Sequence, residues 1–234
     1  MFVSRSMTRG VVTAAPETSL FDLQDLMAAH RIRHIPIVDG ERKVVGIVSD
    51  RDIRSALPFR FFKEGLREEE RVKFQDIRAR DIMTSPVITI SPGYTIQDAL
   101  LMIQNAKVGA LPVVDEEGRL RGILSVRDLL RAFINVLGIG EPGTLLCILV
   151  EEKVGQLKKI VDAITEMGIS FGSVLVARYW EEDKRAVFPY LLTQNVAQVK
   201  KKLTEMGYTL IDPMQWYLDR LPEEETTPPD PPRP

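Results

Sequence analysis

The residues best suited to chemistry are a serine, an arginine and an aspartate that occur together twice in the chain. They lie in the sequences Gly-Ile-Val-Ser-Asp-Arg-Asp at 46–52 and Gly-Ile-Leu-Ser-Val-Arg-Asp at 122–128. In both, an apolar run predicts a strand that leads directly into a helix. A helix N-terminus attracts phosphate, and the serine hydroxyl and the arginine cation add to that attraction. Because the aspartate can accept hydrogen bonds from both hydroxyls of a ribose, the three side chains together describe a nucleotide site.

The same residues also have a purely structural interpretation. Ser49 and Ser125 can cap the helices by accepting from a backbone N–H group, while Asp52 and Asp128 reach back to the N–H group of the serine. Ser-x-x-Asp is a capping box in its own right, and a single motif favours this interpretation. Both interpretations use one geometry, so the residues around the motif must decide between them.

The two motifs belong to a long internal repeat. Residues 7–57 align with 83–133 at a constant offset of 76, without a gap. Sixteen of the 51 aligned pairs are identical, and chance does not keep register over such a length. The chain therefore contains a duplicated module, whose two occurrences are called the first copy and the second copy below.

Each copy predicts the order β-α-β-β-α. In the first copy a short strand covers Val11–Thr13, and a helix begins near Ser19. Two β-branched runs at 35–38 and 44–48 then predict a hairpin, and a second helix begins near Ser49. The apolar stripe of the first helix consists of Leu20, Leu23, Leu26 and Met27. Because a unit of about 50 residues buries little surface alone, we expect the two copies to pack about a pseudo-two-fold axis.

The repeated residues carry a resemblance to the CBS domain, a module named after cystathionine β-synthase that occurs in tandem pairs. Both copies contain Met-Thr, Val-x-Thr-x-x-Pro, Pro-x-Val-Asp and Gly-Ile-x-Ser-x-Arg-Asp. The resemblance implies a non-catalytic ligand sensor that holds an adenine nucleotide in an apolar cleft between the copies. It further implies that Asp52 and Asp128 contact the ribose.

The resemblance also implies which residues share a cleft. The first cleft draws on both copies through Ile47, Ser49, Asp52, Ile88, Val108 and Gly109. The second cleft draws on both through Val12, Ile32, Ile123, Ser125 and Asp128. The predicted binding residues are completed by Thr13, Arg51, Thr89 and Arg127.

Arg33 and His34 distinguish the two clefts, since the second copy has Gly109 and Ala110 at the same positions. The resemblance implies that basic residues just before this strand meet phosphate groups. The Asp52 cleft should therefore prefer the more phosphorylated ligand. In the alternative interpretation, Arg33 and His34 are simply the exposed end of a helix.

The last third of the chain predicts a different domain. A strand over 144–150, a helix, a hairpin turning at 181–184, a second helix and a last strand give the order βαββαβ, the ferredoxin-like arrangement. This part resembles the ACT domain, an amino-acid-sensing module, through that order and the stretch Leu-Val-Glu-Glu-Lys-Val-Gly-Gln-Leu. The resemblance places Gly155 in the ligand loop. Pro189 is unexpected in a central strand, because proline cannot donate to the ladder.

The predicted domains follow from these boundaries. They are a first CBS domain at 1–57, a charged connecting segment at 58–82, a second CBS domain at 83–137, a linker at 138–143, an ACT-like domain at 144–213 and a proline-rich disordered tail at 214–234. The connecting segment predicts a solvated helix that docks its phenylalanines on the module, with a partner-docking helix as the alternative. Those phenylalanines are Phe59, Phe61, Phe62 and Phe74.

Composition argues against catalysis and against nucleic-acid binding. One cysteine, Cys147, excludes an intrachain disulfide, and one cysteine with two histidines cannot form a structural zinc site of the usual kind, so no metal is predicted. A net charge of −2 gives no general attraction to nucleic acid. The chain has no apolar segment near the roughly 20 residues of a membrane span, so we expect a cytoplasmic protein.

Together these features predict an α/β (α+β) chain, a tandem CBS pair followed by a ferredoxin-like ACT-type domain. The arrangement is similar to that of bacterial CBS-ACT proteins of the acetoin-utilisation B type. We expect a homodimeric regulatory protein without a catalytic cofactor, whose ligand is AMP, ADP, ATP or S-adenosylmethionine, with amino-acid sensing by the ACT-like domain. The alternative is a structural protein that holds no nucleotide and acts as a dimerisation or partner-docking module.

Overall fold

The chain repeats one small α/β unit and then adds a domain of another type. The computed structural model describes residues 1–57, 72–138, 140–181 and 183–211. The described helices are α1 (Val3–Ser6), α2 (Leu20–His30), α3 (Asp50–Ala56), α4 (Ala79–Ile82), α5 (Ile96–Ala106), α6 (Val126–Leu137), α7 (Gln156–Thr165) and α8 (Ala197–Glu205). The described strands are β1 (His34–Val38), β2 (Val44–Ser49), β3 (Ala110–Val114), β4 (Leu120–Ser125), β5 (Thr144–Leu145), β6 (Cys147–Glu151), β7 (Phe171–Glu181), β8 (Lys184–Leu191) and β9 (Thr209–Ile211). The chain divides into two compact units, residues 1–132 and 133–234.

Helix α2 begins where the sequence predicts it. The Ser19 side chain accepts a hydrogen bond from the backbone N–H of Asp22, which satisfies one of the free donors of the first turn. The helix ends at Arg31, which adopts a left-handed conformation with φ of 52°. Of the predicted apolar stripe, three members are buried and Leu26 packs against them at the edge of the core. The corresponding helix of the second copy, α5, is capped in the same way by Thr95.

The two hairpins are nearly identical in register. Pro36 lies opposite Ile47 in the antiparallel pair β1–β2, and Pro112 lies opposite Ile123 in β3–β4. Both hairpins also have a register shift near the end of the first strand. The 76-residue offset of the sequence is therefore reproduced in the backbone pairing.

The predicted strand over Val11–Thr13 is wrong, because only Ala14 pairs with β1. Ala14 donates its N–H to the carbonyl of Pro36 and accepts from the N–H of Val38, over 3.2 and 2.9 Å. The next parallel hydrogen bond toward the N-terminus would need an N–H group on Pro36, which proline lacks. The second copy repeats the arrangement, since Ile90 forms one bridge beside Pro112.

The two copies exchange the segments that precede them. Val3 of α1 is fully buried in the core of the second copy, where its N–H donates to the carbonyl of Tyr94. Ala79 of α4 is fully buried in the core of the first copy, where its N–H donates to the carbonyl of Thr18. The chain thus reaches across the pair twice, and each copy is completed by a segment adjoining the other.

Glycines in the hairpins allow these exchanged segments to approach. A Cβ atom on Gly122 would come within 2.6 Å of the sulfur of Met7, and a Cβ atom on Gly46 would collide with Met83 in the same way. Just beyond the methionines, Thr8 pairs with Ile123 and Thr84 pairs with Ile47 through reciprocal backbone hydrogen bonds. Each exchanged segment therefore adds a short edge to the hairpin of the opposite copy.

The connecting segment is described only from residue 72 onward. Phe74 and Ile77 pack against the core of the first copy, and α4 is the one helix described in this segment. The predicted docking of Phe59, Phe61 and Phe62 lies outside the described residues. So does the predicted disordered tail at 214–234.

The second unit has the order βαββαβ. Strand β8 pairs with β5 and β6 on one side and with β7 on the other, while β9 pairs with β6, all antiparallel. This strand order is that of the ferredoxin-like split βαβ fold. Its buried core consists of Leu146, Ile148, Val150, Ile160, Ile164, Val187, Leu191, Val199 and Leu203.

Pro189 does occupy a central strand, and its neighbour is interrupted at that point. The carbonyl of Pro189 accepts from the N–H of Leu146, the residue that separates β5 from β6. Because Pro189 has no N–H to return, the ladder is broken there, and it resumes where Ile148 lies opposite Val187. Cys147, the first residue of β6, is buried, and burial raises the pKa of its thiol.

None of the helices that the structure describes is both long enough and apolar enough to cross a membrane.

Candidate functional site

The two Ser-x-x-Asp motifs lie where β2 leads into α3 and where β4 leads into α6. The Ser49 hydroxyl donates to Oδ2 of Asp52 over 2.7 Å, and the Ser49 N–H donates to the same oxygen over 2.7 Å. Ser125 makes the same bonds to Oδ2 of Asp128, over 2.6 and 2.9 Å. Both motifs are therefore capping boxes, as the structural interpretation expects, and each engages one carboxylate oxygen.

The second carboxylate oxygen differs between the copies. Oδ1 of Asp128 accepts from the Thr8 hydroxyl over 3.3 Å and from the Arg131 guanidinium over 3.4 Å. Only 6% of Asp128 is exposed. Both oxygens of this carboxylate thus already have donors from the protein.

Oδ1 of Asp52 has no hydrogen-bond donor within the described part of the chain. The position that corresponds to Arg131 is Ser55, and the hydroxyl of Thr84, which corresponds to Thr8, makes no bond to Asp52. The neighbouring Arg54 pairs with Asp50 instead. The half-buried Asp52 carboxylate therefore presents one acceptor oxygen that a ligand hydroxyl can use.

His34 and Gly109, predicted for the same region from different copies, are in direct contact. A Cβ atom on Gly109 would lie 2.6 Å from Nε2 of His34. Burial lowers the pKa of His34, and Asp50 and Asp52 oppose that shift while Arg33 adds to it. At neutral pH the His34 side chain near Asp52 is therefore an uncharged imidazole, within range of an electrostatic interaction with the Asp52 carboxylate.

The basic residues beside the motifs lie at the surface, and the backbone of Arg33 is held by the first turn of α3. The carbonyl of Arg33 accepts from the N–H of Asp50 over 3.0 Å, and the carbonyl of Gly109 accepts from Val126 over 3.2 Å in the second copy. Arg33, Arg51 and Arg127 are all exposed. Arg33 and Arg51, predicted to meet phosphate groups, are thus at the surface of the first copy.

The remaining predicted residues differ in how exposed they are. Ile47 and Ile123 lie opposite the prolines of the hairpins and pair with the exchanged segments. Ile88 is 45% exposed. The predicted residues that are half-buried are Val12, Thr13, Ile32, Thr89 and Val108.

Thr8 and Arg131 contact a predicted site residue and were missed by the motif analysis. The sequence does indicate Thr8, because the Met-Thr pair is repeated at Thr84. Only the exchange of segments brings Thr8 to Asp128. Arg131 is not indicated by the sequence, since the first copy has a serine at that position.

Gly155, predicted for the ligand loop of the ACT-like domain, is the N-cap residue of α7 and has φ of 93°. It lies in the second unit, outside the CBS pair.

Comparison with curated proteins places the pair in a large group. A CBS domain-containing protein of Dictyostelium discoideum is 31% identical over 137 residues, covering 58% of this chain and 94% of that protein. Inosine-5′-monophosphate dehydrogenase of Aquifex aeolicus is 31% identical over 121 residues, covering 51% of this chain and 22% of the enzyme. The chain therefore spans about a fifth of the length of that relative.

Solved structures give the same match. The AcuB protein of Vibrio cholerae, assigned to acetoin utilization, is 31% identical with a TM-score of 0.50, covering 60% of this chain and 96% of that chain. CBSX2 of Arabidopsis thaliana is 27% identical with a TM-score of 0.51, covering 57% and 94%. CBSX2 has also been solved in complex with AMP.

The family model of the CBS domain matches residues 3–58 and 79–135. These bounds begin at α1 and α4, the exchanged segments, and the second range ends in α6. The internal repeat and the two Ser-x-x-Asp capping boxes are consistent with these similarities. The chain belongs to the CBS domain-containing proteins.

Proposed function

We propose that the CBS pair is a non-catalytic sensor of adenine nucleotides, and that the cleft at Asp52 is its tighter site. The observation that carries this proposal is the difference between the two aspartates. A ribose hydroxyl can donate to Oδ1 of Asp52 without displacing a donor from the described residues, whereas at Asp128 it must compete with Thr8 and Arg131. The AMP complex of the relative CBSX2 is consistent with this ligand class.

The charges around the Asp52 cleft favour phosphorylated ligands. Arg33 and Arg51 are exposed cations, and the helix dipole at the start of α3 adds a partial positive charge. His34 is held neutral by burial, so at neutral pH it contributes a hydrogen bond rather than a charge. We therefore expect ATP or ADP to bind more tightly than AMP at this cleft, and the regulatory effect to arise from a shift between two arrangements of the pair.

Thermal unfolding with and without AMP, ADP, ATP and S-adenosylmethionine tests the proposal. A ligand at 100 times its Kd should stabilise the protein by about 2.7 kcal/mol. Asp52→Ala should weaken nucleotide binding at least tenfold. Asp98→Ala is the matched control, because Asp98 forms the same capping box with Thr95 at the start of α5, outside the predicted clefts.

Two outcomes contradict the proposal. If no nucleotide at millimolar concentration stabilises the wild-type chain, the structural interpretation of the capping boxes is favoured. If Asp52→Ala and Asp98→Ala bind nucleotide equally well, the cleft has been assigned to the wrong residues.

We also propose that the second unit binds an amino acid, as its resemblance to the ACT domain implies. A cavity of about 590 Å³ beside the start of α7 is lined by residues of both charges, including Glu151 and Lys159. Tyr208 donates from its hydroxyl to Gln156 over 2.9 Å at the same place. Such a lining suits an ammonium and a carboxylate group. Calorimetric titration with the common amino acids tests this, and loss of a detected signal in Lys159→Ala is expected.

Self-association is the last part of the proposal. The outward face of α6 exposes apolar side chains, with Leu130 exposed by 56% and Ile134 by 44%. The residue of α3 that corresponds to Leu130 is the charged Arg54. We expect a homodimer, as the CBS resemblance implies, with α6 at its interface. Sedimentation should give a dimer for the wild type and a monomer for Leu130→Glu.

A further inference from the structure

A cavity of about 380 Å³ in the first unit lies where the two hairpins meet the segment that follows α1. Three arginines and a serine line it: Arg9, Arg42, Arg121 and Ser4. No acidic residue lines it, and none of its lining residues belongs to the predicted nucleotide clefts. It is called the arginine cavity below.

The positive charge of this cavity is not neutralised by any residue that the structure describes. Within the described ranges, none of the three arginines has a carboxylate partner. In the neighbouring turns, Glu41 pairs with Lys43 over 2.7 Å and Asp115 pairs with Arg119 over 3.4 Å. Three guanidinium groups that share a concave surface repel one another, and an anion removes that repulsion.

The second occurrence of the repeat provides an internal comparison. At the positions related by 76 residues, Arg9 corresponds to Ser85, Arg42 to Gly118 and Arg121 to Val45. All three differences therefore add a cation to the same cavity.

The position of Ser4, the serine of the lining, shows the reverse pattern. Ser4 corresponds to Arg80, which has partners in Glu17 and Asp81. The pair thus neutralises its cation on one side and concentrates unpaired cations on the other.

The backbone at Arg42 gives a second, independent observation. Arg42 has φ of 62°, in the left-handed region, and the corresponding residue is Gly118 with φ of 79°. Glycine adopts this conformation freely, whereas a residue with a side chain is less favourable there. The first copy therefore has an arginine where the second has the glycine that this backbone favours, so the added cation comes at a cost in backbone energy.

The three arginines are held in place by backbone hydrogen bonds. The carbonyl of Arg42 accepts from the N–H of Leu120 over 2.9 Å, which ties the turn of the first hairpin to the strand that bears Arg121. Arg9 follows Thr8, which exchanges two hydrogen bonds of 2.9 Å with Ile123, and its guanidinium donates to the carbonyl of Ser4 over 3.1 Å. These bonds fix the backbone beside Arg9 and Arg42 before any ligand arrives, which lowers the entropy lost on binding.

We propose that the arginine cavity binds a phosphate-bearing small molecule, with at least two phosphate groups, at a site distinct from the nucleotide clefts. The planar guanidinium group binds phosphate oxygens in bidentate fashion, and three such groups match the charge of a diphosphate. The volume accommodates a diphosphate with a small organic substituent.

Inorganic pyrophosphate is the probe, because it lacks the adenine and ribose that the clefts would recognise. Calorimetric titration of the full chain at constant ionic strength should give saturable one-site binding. Arg42→Gly, which installs the residue of the other copy, should weaken binding at least tenfold while the unfolding temperature stays the same or rises. Arg9→Ser and Arg121→Val should weaken binding as well.

Two variants separate this site from its surroundings. Arg119→Gln removes an arginine of the same region that already pairs with Asp115 and Glu117, and it should leave pyrophosphate binding unchanged. Arg33→Ala in the nucleotide cleft should also leave it unchanged. Absence of binding to the wild type, equal weakening by Arg119→Gln and Arg42→Gly, or loss of binding in Arg33→Ala would each overturn the proposal.

Discussion

The hydroxyl of Thr8 donates to Oδ1 of Asp128 over 3.3 Å, although 120 residues separate them along the chain. The contact exists because the segment that precedes the first copy completes the second. The symmetric contact, from Thr84 to Asp52, is not made. A repeat that is nearly exact in its backbone is therefore asymmetric at the two carboxylates of the predicted clefts.

This asymmetry predicts different effects of two equivalent substitutions. Thr8→Val should lower the free energy of unfolding by about 1 kcal/mol, because a buried carboxylate loses a donor. Thr84→Val should change it by less than about 0.5 kcal/mol. Urea unfolding followed by circular dichroism measures both. Equal losses in the two variants would show that the Thr8–Asp128 contact adds nothing to stability.

The exchange of segments predicts a large effect of a small residue near the N-terminus. Val3 is fully buried in the second core, while Phe2 is 56% exposed. Val3→Ala should lower the free energy of unfolding by about 1.6 kcal/mol, since two buried carbon atoms are removed at about 0.8 kcal/mol each. Phe2→Ala removes more atoms and should have the smaller effect. If Phe2→Ala is the more damaging in urea unfolding, α1 does not occupy the second core.

Much of this fold could be predicted because its signals are local. The 76-residue offset, the caps at Ser19 and Ser49 and the period of the helices each depend on residues close together in sequence. The exchange could not be predicted, since α1 has four residues and shows no period. Val3 and Ala79 would fill either core, so only three-dimensional packing determines which one each enters.

The candidate site also has a part that could be predicted from the sequence and a part that could not. Asp52 and Asp128 were found from the repeated motif, but their different partners depend on Arg131 and Ser55, which the motif does not include. The strand predicted at Val11–Thr13 does not form, because its pairing with β1 would need an N–H group on Pro36. The sequence shows the proline, but it does not show which residues of the neighbouring segment lie opposite it.

The contact of His34 with Gly109 predicts a coupled pair of substitutions. Gly109→Ala would place Cβ 2.6 Å from Nε2 of His34, an overlap that should lower the free energy of unfolding by about 1–3 kcal/mol. Adding His34→Ala should recover most of that loss, because the imidazole is then absent. A double-mutant cycle measures the coupling. Gly40→Ala is the control, since its Cβ would meet no atom within 4 Å, and additive losses at 34 and 109 would contradict the contact.

The lowered pKa of His34 predicts how stability depends on pH. Burial opposes protonation in the folded state, so the pKa lies below its ordinary value of 6.5, which the unfolded chain retains. Between these two values the unfolded state binds more protons, and stability therefore rises with pH. The contribution is complete above pH 6.5 and is lost as the pH falls toward the folded-state pKa.

The measurement compares free energies of unfolding for wild type and His34→Gln at pH 8 and pH 5. Glutamine does not titrate, so the wild type should lose more stability than the variant between these values. The exposed His30 is the control, and His30→Gln should follow the wild type at both pH values. Asp50 and Asp52 act against the shift, so Asp50→Asn should enlarge the loss by removing a charge that favours the imidazolium. A variant at His34 that loses as much stability as the wild type would mean that the imidazole is as well solvated in the fold as in the unfolded chain.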